Sequence, residues 1–484
     1  MCRVEILVSS SVGFHHPDAG VVRSDVVVGL GPAGPNRPST LASDMASTPL
    51  TAASDQPAAL VIRGGRVIDP ASGRDEVADV AIDRGVVRAI GRRLPVSKGV
   101  RVIEAKDRLV VPGLIDPHVH LREPGQEHKE TIATGGAAAV AGGFTTVCCM
   151  PNTSPALDSP ELVDFVHARA KATSPCRVFA VAAATRGRKG EELTEIALLA
   201  RAGAAGISDD GDCIASAGMM SRVLAATAAS GLAFMQHCQE PTMTRGAAMH
   251  AGERSLRLGL GGWPRAAEEI IIERDVRLNR GIGCRYHVQH ISSGESVEIV
   301  RRARAAGQPV SAEASPHHLL LTDEACEGYE TNAKVNPPLR ERKDVEAVRQ
   351  GVADGTITVL ATDHAPHSVD EKSLPFEDAP FGLIGLETAL ALYAEALVAT
   401  GLIDWPRLIA MMTLEPARLC NLDRLGLGRL TEGGVADVTV IDPDAPWTIG
   451  PECLRSKSRN TPFMGRAVRG RAVATIVNGR VVTG

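Results

Sequence analysis

Two histidines one residue apart, His118 and His120, could together bind a metal ion. On a β-strand the side chains at i and i+2 point to the same side, so this pair can place two imidazoles on one ion. The apolar residues 109–111 and 114–115 lead into the pair and predict a strand buried on both faces. Alone, the pair is equally compatible with two core or surface histidines.

Further candidate ligands occupy similar positions, each after an apolar run and before a glycine, serine, proline or polar loop. They are the neighbours Asp209 and Asp210, then His237, His290 and Asp363. Active-site residues lie in this way at the carboxyl ends of the strands of a (β/α)8 barrel. Nitrogen and oxygen ligands suit Zn²⁺ or a similar divalent ion, and their number exceeds one tetrahedral shell. The pattern predicts a two-metal site and leaves open which neighbouring aspartate bridges the ions.

The intervening sequence alternates strand and helix patterns. Helices are predicted at residues 130–141, 159–172, 293–306, 341–351 and 385–400. This alternation favours a parallel barrel. An open doubly wound sheet would have a glycine-rich phosphate loop after its first strand, and the sequence has none there. Short strand patterns near both chain ends, including a hairpin with a Gly-Gly turn within residues 60–68, predict one small β-sandwich.

The motifs around these residues occur in a characteristic order. They are DPHVHLREPG (116–125), EHKET (127–131), GGFTT (142–146), MPNT (150–153), DDG (209–211), EASPHHL (313–319), NPPLR (336–340), ATDHAPH (361–367), APFG (379–382) and NTPF (460–463). Through them the chain resembles the amidohydrolase superfamily and, within it, the dihydroorotases of the bacterial class I type. The resemblance covers about residues 58–484.

The resemblance implies a fold and an activity. The fold is an α/β (β/α)8 TIM barrel of the amidohydrolase type at residues 113–425, with a small β-sandwich made from residues 58–112 and 426–484. Residues 1–57 are rich in Ser, Ala, Pro and Gly and are expected to be a disordered extension, with Met45 as an alternative start. The implied activity is the reversible hydrolysis of (S)-dihydroorotate to N-carbamoyl-L-aspartate in pyrimidine biosynthesis.

The family pattern also implies a ligand set for two Zn²⁺ ions per subunit. The ligands are His118, His120 and Asp363 for one metal, and His237 and His290 for the other. Asp210 takes the bridging place of a carbamylated lysine found in many relatives, and residues 207–211 contain no lysine. Asp209 is then expected to form structural hydrogen bonds. In the implied mechanism a bridging hydroxide attacks the ring amide, and Asp363 shuttles the proton.

The same pattern implies the substrate contacts. Arg122 lies two residues past His120 and offers a bidentate guanidinium to a carboxylate, together with Asn152 and His367. Asn336 and the backbone of Phe381 and Gly382 are implied to contact the ring or ureido end.

Four other residues near the motifs are expected to have supporting roles. His317, His318 and His364 are read as structural residues, because the barrel already has its ligands. The sequence His-Cys-Gln-Glu at residues 237–240 departs from the usual His-Cys-Glu-Glu. Gln239 is therefore expected to tune the second metal without removing a ligand.

Composition limits the remaining function classes. The net charge of −5 argues against non-specific binding of nucleic acid or an anionic membrane. No apolar run approaches the ~20 residues of a membrane helix. The ten cysteines form no CxxC pair, which favours reduced thiols in a cytoplasmic enzyme.

The oligomeric state and the alternative functions rest on the resemblance alone. It favours a homodimer and allows a complex with aspartate transcarbamoylase. The alternatives are another cyclic amidohydrolase (allantoinase or dihydropyrimidinase) and a non-catalytic dihydroorotase-like subunit of aspartate transcarbamoylase. The first would normally carry the bridging lysine, and the second would typically lack metal histidines.

Overall fold

The computed structural model describes residues 59–484, so the predictions for residues 1–57 lie outside the described part of the chain. Strands are numbered in chain order. A sheet from both chain ends contains β1 (Leu60–Asp69), β2 (Arg74–Asp83), β3 (Val86–Gly91), β4 (Arg101–Glu104), β5 (Leu109–Pro112), β16 (Val438–Thr448), β17 (Ala467–Val477) and β18 (Arg480–Thr483). A second, parallel sheet contains β6 (Leu114–Val119), β7 (Phe144–Cys149), β8 (Arg177–Ala182), β9 (Gly206–Ile207), β10 (Ala233–Gln236), β13 (Arg285–Val288), β14 (Val310–Ala314) and β15 (Val359–Leu360). A small ribbon pairs β11 (Met249–His250) with β12 (Gly262–Trp263).

The eight parallel strands follow one another from β6 to β15 in sequence order, and their residues are almost all buried. The two edges meet just beyond the ends of β6 and β15. There Val119 bridges His364, and the backbone N–H of His120 donates to the His364 carbonyl at 2.8 Å. This arrangement confirms the predicted (β/α)8 barrel. It gathers the carboxyl ends of all eight strands around one mouth.

The helices lie in the segments that connect the strands. They are α1 (Ile132–Gly142), α2 (Pro160–Thr173), α3 (Ile196–Arg201), α4 (Ala217–Ala229), α5 (Pro241–Thr244), α6 (Glu253–Leu258), α7 (Ala266–Asn279), α8 (Gly294–Ala305), α9 (Pro316–Leu320), α10 (Arg342–Ala353), α11 (Val369–Lys372), α12 (Ala389–Tyr393), α13 (Trp405–Met412) and α14 (Leu414–Leu419). Four of the five predicted helices begin and end within two residues of α1, α2, α8 and α10. The fifth, at residues 385–400, is shorter and continues from α12 as a π-helix, Ala394–Val398. None of the helices within residues 59–484 is long and apolar enough to span a membrane.

The sheet from the chain ends places N-terminal β5 beside C-terminal β16. The predicted Gly-Gly hairpin within residues 60–68 is wrong, because β1 runs through both glycines as one strand. The pairing of β1 with β2 shifts between Ile62 and Gly65, where Gly64 has a left-handed φ of 70°. The two glycines therefore form a bulge, which glycine permits because it lacks a Cβ.

The run predicted as a single strand leading to His118 is divided between the two sheets. β5 ends at Pro112, and β6 begins at Leu114 in the barrel. Between them, a Cβ on Gly113 would lie 2.1 Å from Thr145 Oγ1, so only glycine fits this crossing. The chain thus enters the barrel close to the predicted boundary at residue 113, although the domain limits themselves stay predictions.

Candidate active site

The carboxyl end of β6 carries His118 and His120, which are both buried. The carboxylate of Asp116 accepts hydrogen bonds from the backbone N–H groups of His118, at 3.0 Å, and Thr362, at 3.2 Å. These bonds tie the end of β6 to the segment after β15. The two imidazole centroids lie 5.3 Å apart. The strand therefore presents both rings on the inside of the barrel mouth.

Asp210 lies among the four predicted histidine ligands, and each has a ring nitrogen within 4 Å of its carboxylate. Oδ1 lies 3.4 Å from His118 Nε2, 3.6 Å from His237 Nδ1 and 3.7 Å from His290 Nε2, and Oδ2 lies 3.5 Å from His120 Nε2. Burial alone would raise the pKa of Asp210, but the histidines, above all His118, hold it well below its ordinary value. Asp210 is thus an ionised carboxylate shared by two pairs of imidazoles.

Asp209 points away from this cluster. Its carboxylate accepts hydrogen bonds from the backbone N–H of Ala184, at 2.8 Å, and from both the backbone N–H, at 3.0 Å, and the hydroxyl of Thr185. Burial raises its pKa to about 6. The structure therefore brings Asp210, and not Asp209, to the histidines, while Asp209 holds the loop after β8.

His237 and His290 follow the neighbouring strands β10 and β13. His237 Nδ1 lies 2.9 Å from His290 Nε2. On its far side, His237 Nε2 lies 2.9 Å from Gln239 Oε1, which is an acceptor. Donation from Nε2 to this oxygen turns Nδ1 towards Asp210 and His290.

Asp363 completes the other half of the cluster. Its Oδ1 lies 3.0 Å from His120 Nε2 and 3.6 Å from His118 Nε2. Burial would raise its pKa, but His120 and the other histidines hold it far below the ordinary value. Its backbone has a left-handed φ of 51°, which is uncommon for a residue other than glycine.

The donor set fits metal ions. Two ligands at 2.0–2.1 Å from a tetrahedral Zn²⁺ lie about 3.3 Å apart, close to the spacings around Asp210. Among residues 59–484, two groups satisfy the geometry, and both contain Asp210: one with His118 and His120, the other with His237 and His290. His118 Nε2 and Asp210 Oδ1 are also buried and have no hydrogen-bond partner in the described part of the chain; a metal ion would provide one.

Arg122 lies beside the cluster of candidate metal ligands, and its side chain is buried. Its Nε donates to the Pro366 carbonyl at 3.2 Å, and its Nη2 lies 3.3 Å from His367 Nε2. Burial lowers its pKa to about 10, so the guanidinium stays charged at neutral pH. Among residues 59–484, no carboxylate oxygen forms an ion pair with it. A buried guanidinium in this state is suited to an anionic ligand.

Asn152 and His367 flank this guanidinium region. Asn152 Oδ1 lies 2.8 Å from His120 Nδ1 and accepts a hydrogen bond from it, so Asn152 orients this predicted metal ligand. The amide N–H groups of Asn152 are left for other partners. His367 Nε2 donates to the Phe381 carbonyl at 2.8 Å. Burial lowers the pKa of His367 far below its ordinary value, with Arg122 adding to the effect. The ring therefore stays neutral.

The predicted contacts for the other end of the substrate lie on two loops. Asn336 Nδ2 donates to Gln239 Oε1 at 3.0 Å, while Asn336 Oδ1 is buried and has no hydrogen-bond partner among the residues that the structure describes. Gly382 has a φ of 128°, and a Cβ there would lie 2.7 Å from the Ala365 Cβ. Its N–H donates to the Lys334 carbonyl at 2.9 Å, so this amide already has a partner within the protein.

Comparison with known proteins places this geometry in a family. A profile described as dihydro-orotase-like matches residues 107–296. A curated dihydroorotase of Pelotomaculum thermopropionicum is 47% identical over 423 residues, which cover 87% of this chain and 98% of that protein. One of Pelobacter propionicus is also 47% identical over 423 residues and is covered to 99%. The chain belongs to the dihydroorotase family.

Solved structures extend the similarity to other cyclic amidohydrolases. L-hydantoinase (dihydropyrimidinase) from Arthrobacter aurescens has a TM-score of 0.79 and 26% sequence identity, with 88% of this chain and 96% of that chain covered. Dihydropyrimidinase from Brevibacillus agri has a TM-score of 0.77 at 21% identity, with 88% of this chain and 95% of that chain covered, and supports the fold alone. The fold is thus shared beyond the dihydroorotase family.

Sequence analysis gave no role to Glu313, although it contacts three histidines at this site. From β14, its Oε1 lies 2.5 Å from His118 Nδ1 and accepts from the His290 backbone N–H at 3.2 Å, and its Oε2 lies 3.0 Å from His287 Nε2. Histidines 118 and 290 belong to different metal groups, so one carboxylate braces both. The available signal was a lone acidic residue within the buried strand Val-Ser-Ala-Glu-Ala.

Three other histidines near the site have packing or backbone contacts. His364 Nδ1 accepts from the Gly385 backbone N–H at 3.1 Å, and His318 Nε2 donates to the Pro337 carbonyl at 2.9 Å. His317 is buried against His318, with ring centroids 4.3 Å apart. Their structural interpretation stays a prediction.

Proposed function

We propose that the chain is a dihydroorotase that reversibly converts (S)-dihydroorotate to N-carbamoyl-L-aspartate. The observation that carries the proposal is the 47% identity to a curated dihydroorotase over 98% of its length. The chemistry of the site agrees, because ring opening needs a carbonyl activator, a nucleophilic water and a proton donor for the leaving nitrogen.

The substrate carboxylate would bind at Arg122. Its guanidinium is buried, charged and without an ionic partner among the described residues, and Asn152 and neutral His367 lie beside this region. Asn336, with its unpartnered Oδ1, and the Phe381–Gly382 segment would contact the ring amides. Dihydropyrimidinase substrates lack this carboxylate, so Arg122 is the feature that favours dihydroorotate over such rings.

The metal ions in the proposal are two Zn²⁺ per subunit. His118, His120 and Asp363 would hold one, His237 and His290 would hold the other, and Asp210 would contact both. When bound, they supply a water that is nucleophilic near neutral pH and polarise the amide carbonyl. Metal content measured on the purified protein tests both the identity and the number of ions.

Asp363 would move the proton. Its carboxylate lies at the cluster beside His120, where it can accept a proton from the attacking water and pass it to the departing ring nitrogen. General acid–base catalysis of this kind contributes about 10²–10⁴-fold in rate. Asp363→Asn should therefore slow both directions by at least about 10²-fold while the ion at His237 and His290 is retained. Modestly slower turnover with a normal pH profile would leave Asp363 a ligand only.

The decisive experiment measures four substrates with one enzyme preparation. Carbamoyl-aspartate cyclisation and dihydroorotate hydrolysis should be fast, whereas dihydrouracil and allantoin should react poorly. Faster turnover of dihydrouracil or allantoin would instead support the activity suggested by the dihydropyrimidinase neighbours. A metal-loaded protein inactive on all four would support the non-catalytic alternative.

The assembly and location are part of the proposal. We infer a cytoplasmic homodimer that binds aspartate transcarbamoylase. Light scattering of the purified protein, alone and with aspartate transcarbamoylase from the same organism, tests both interactions.

A further inference from the structure

Two lysines beside the loops that carry the predicted substrate contacts are buried in an unusual way. Lys334 and Lys372 are only 2% and 7% exposed. Among residues 59–484, no carboxylate oxygen lies within ion-pair distance of either ammonium group. Burying an ammonium without a counter-ion is unfavourable by several kcal/mol unless its protons are well bound. The contacts that bind these protons therefore indicate what the lysines do.

Both ammonium groups donate to carbonyl oxygens of one loop, residues 376–382. Lys334 Nζ donates to the carbonyls of Phe376, at 2.6 Å, and Glu377, at 2.9 Å. Lys372 Nζ donates to the Pro380 carbonyl at 2.8 Å. The two side chains thus bind the loop along most of its length. We call them the lysine pair.

The lysine pair also determines the position of Phe381. Lys334 Nζ lies 4.5 Å from the centroid of the Phe381 ring, a cation–π distance. That ring packs nearly perpendicular to Trp263, with centroids 5.8 Å apart. The Lys334 carbonyl accepts the Gly382 N–H at 2.9 Å, and Lys372 Nζ lies 3.5 Å from the same carbonyl. The pair and the loop are therefore one connected network.

This network joins the chain segments that carry the proposed substrate contacts. Lys334 lies two residues before Asn336, and Lys372 lies five residues after His367. His367 in turn donates to the Phe381 carbonyl. A displacement of the 376–382 loop would therefore move the Phe381–Gly382 backbone relative to Asn336 and His367, while the metal cluster on the barrel strands would stay in place.

We propose that Lys334 and Lys372 are positioning residues that hold the 376–382 loop in its substrate-binding conformation. Neither lysine needs to touch the substrate. The proposal rests on the proposed function for the identity of the substrate, but the ordering of the loop does not depend on it. Loss of either lysine should weaken substrate binding and leave metal binding intact.

The test uses Lys334→Met and Lys372→Met, with Lys343→Met as the matched control. The Lys343 side chain is 71% exposed and lies next to Glu341 at the surface. The loss of one hydrogen bond of the lysine pair, at about 1–1.5 kcal/mol, corresponds to about a ten-fold effect. We expect KM for dihydroorotate to rise about ten-fold in either variant, with kcat changed less than about three-fold and with wild-type metal content. The control should resemble the wild type.

Hydrogen–deuterium exchange gives a second, substrate-independent readout. Peptides covering residues 376–382 should exchange faster in both variants, whereas peptides covering β6 and β13 should not change. If a methionine variant fails to fold, Lys372→Gln, which retains an N–H donor, should fold and show a smaller change in the same direction.

Two results would overturn the proposal. One is wild-type exchange in residues 376–382 together with unchanged KM. The other is loss of bound metal with a fall in kcat, which would show that the pair supports the metal cluster instead. If the wild type itself is inactive on dihydroorotate and carbamoyl-aspartate, the proposed function fails, and the exchange data alone decide the role of the lysine pair.

Discussion

Glu313→Gln should weaken metal binding without altering the ligands themselves. The glutamate accepts from His118 Nδ1 and His287 Nε2 on opposite oxygens, and its pKa is lowered to about 2 despite burial, chiefly by His118. Glutamine has nearly the same shape but carries no charge. Its oxygen should replace Oε1, because the His290 backbone N–H also donates there. Its NH2 group would then face His287.

The expected loss of metal affinity follows from replacing a charged hydrogen-bond acceptor with a neutral one. A hydrogen bond to a charged group contributes about 1.5–3 kcal/mol, and a neutral one about 1 kcal/mol. The hydrogen bond that orients the His118 imidazole and raises its basicity would therefore be weaker by about 1–2 kcal/mol. This loss corresponds to roughly ten-fold weaker metal binding. At His287, either tautomer can still bond to Ser311 Oγ, 2.8 Å from Nδ1, so the loss there should be smaller.

The assay is competition for the metal with a chelator of known affinity, followed by activity per bound ion. We expect about ten-fold lower affinity in Glu313→Gln and turnover reduced less than affinity once metal is in excess. Glu395→Gln is the control, because it removes one carboxylate that pairs with Arg466 away from the cluster. Metal affinity equal to the wild type in Glu313→Gln would refute the bracing role inferred from the geometry.

Three further predictions concern other residues. Asp210→Asn should lose metal and activity, whereas Asp209→Asn should keep both and lower the free energy of unfolding by about 1–3 kcal/mol; metal analysis showing the reverse would contradict the assignment. Arg122→Lys should raise KM for dihydroorotate at unchanged metal content, and an equal rise for dihydrouracil would contradict carboxylate binding. Burial lowers the pKa of His167 to about 4, so the unfolded chain binds a proton first as pH falls below 6.5. Relative to His167→Gln, the wild type should lose about 3 kcal/mol of unfolding free energy between pH 6.5 and 4, and a constant difference would contradict this.

The sequence predicted the barrel and the ligand cluster because both depend on local patterns. Each candidate ligand follows its own apolar run, and parallel strands bring such ends together whatever the length of the connections. The choice between Asp209 and Asp210 came from the family motif. The structure adds a physical reason, since the Asp209 carboxylate is bonded to the backbone of Ala184 and Thr185, whereas Asp210 faces the histidines.

Features that depend on long-range packing could not be predicted in this way. Glu313 and His118 are 195 residues apart, and only barrel closure brings them to 2.5 Å. The Gly-Gly pair in β1 has the composition of a hairpin turn, and its role as a bulge is decided by pairing with β2. In the sequence, Lys334 and Lys372 cannot be told from exposed surface lysines. Their partners are backbone carbonyls, which every residue has, so no side chain in the loop marks the contact.

The backbone of the site indicates that its geometry exists before a ligand binds. Arg122, His290 and Asp363 all have positive φ values, 60°, 29° and 51°, which L-residues adopt only when the surrounding structure holds them there. The rings of three other predicted ligands are held on their far side, where His118 donates to Glu313, His120 to Asn152 and His237 to Gln239. Each of these hydrogen bonds fixes which ring nitrogen can bind a metal. A site built in this way has little reorganisation left when charge develops on the substrate, which is the condition for strong electrostatic stabilisation of a transition state.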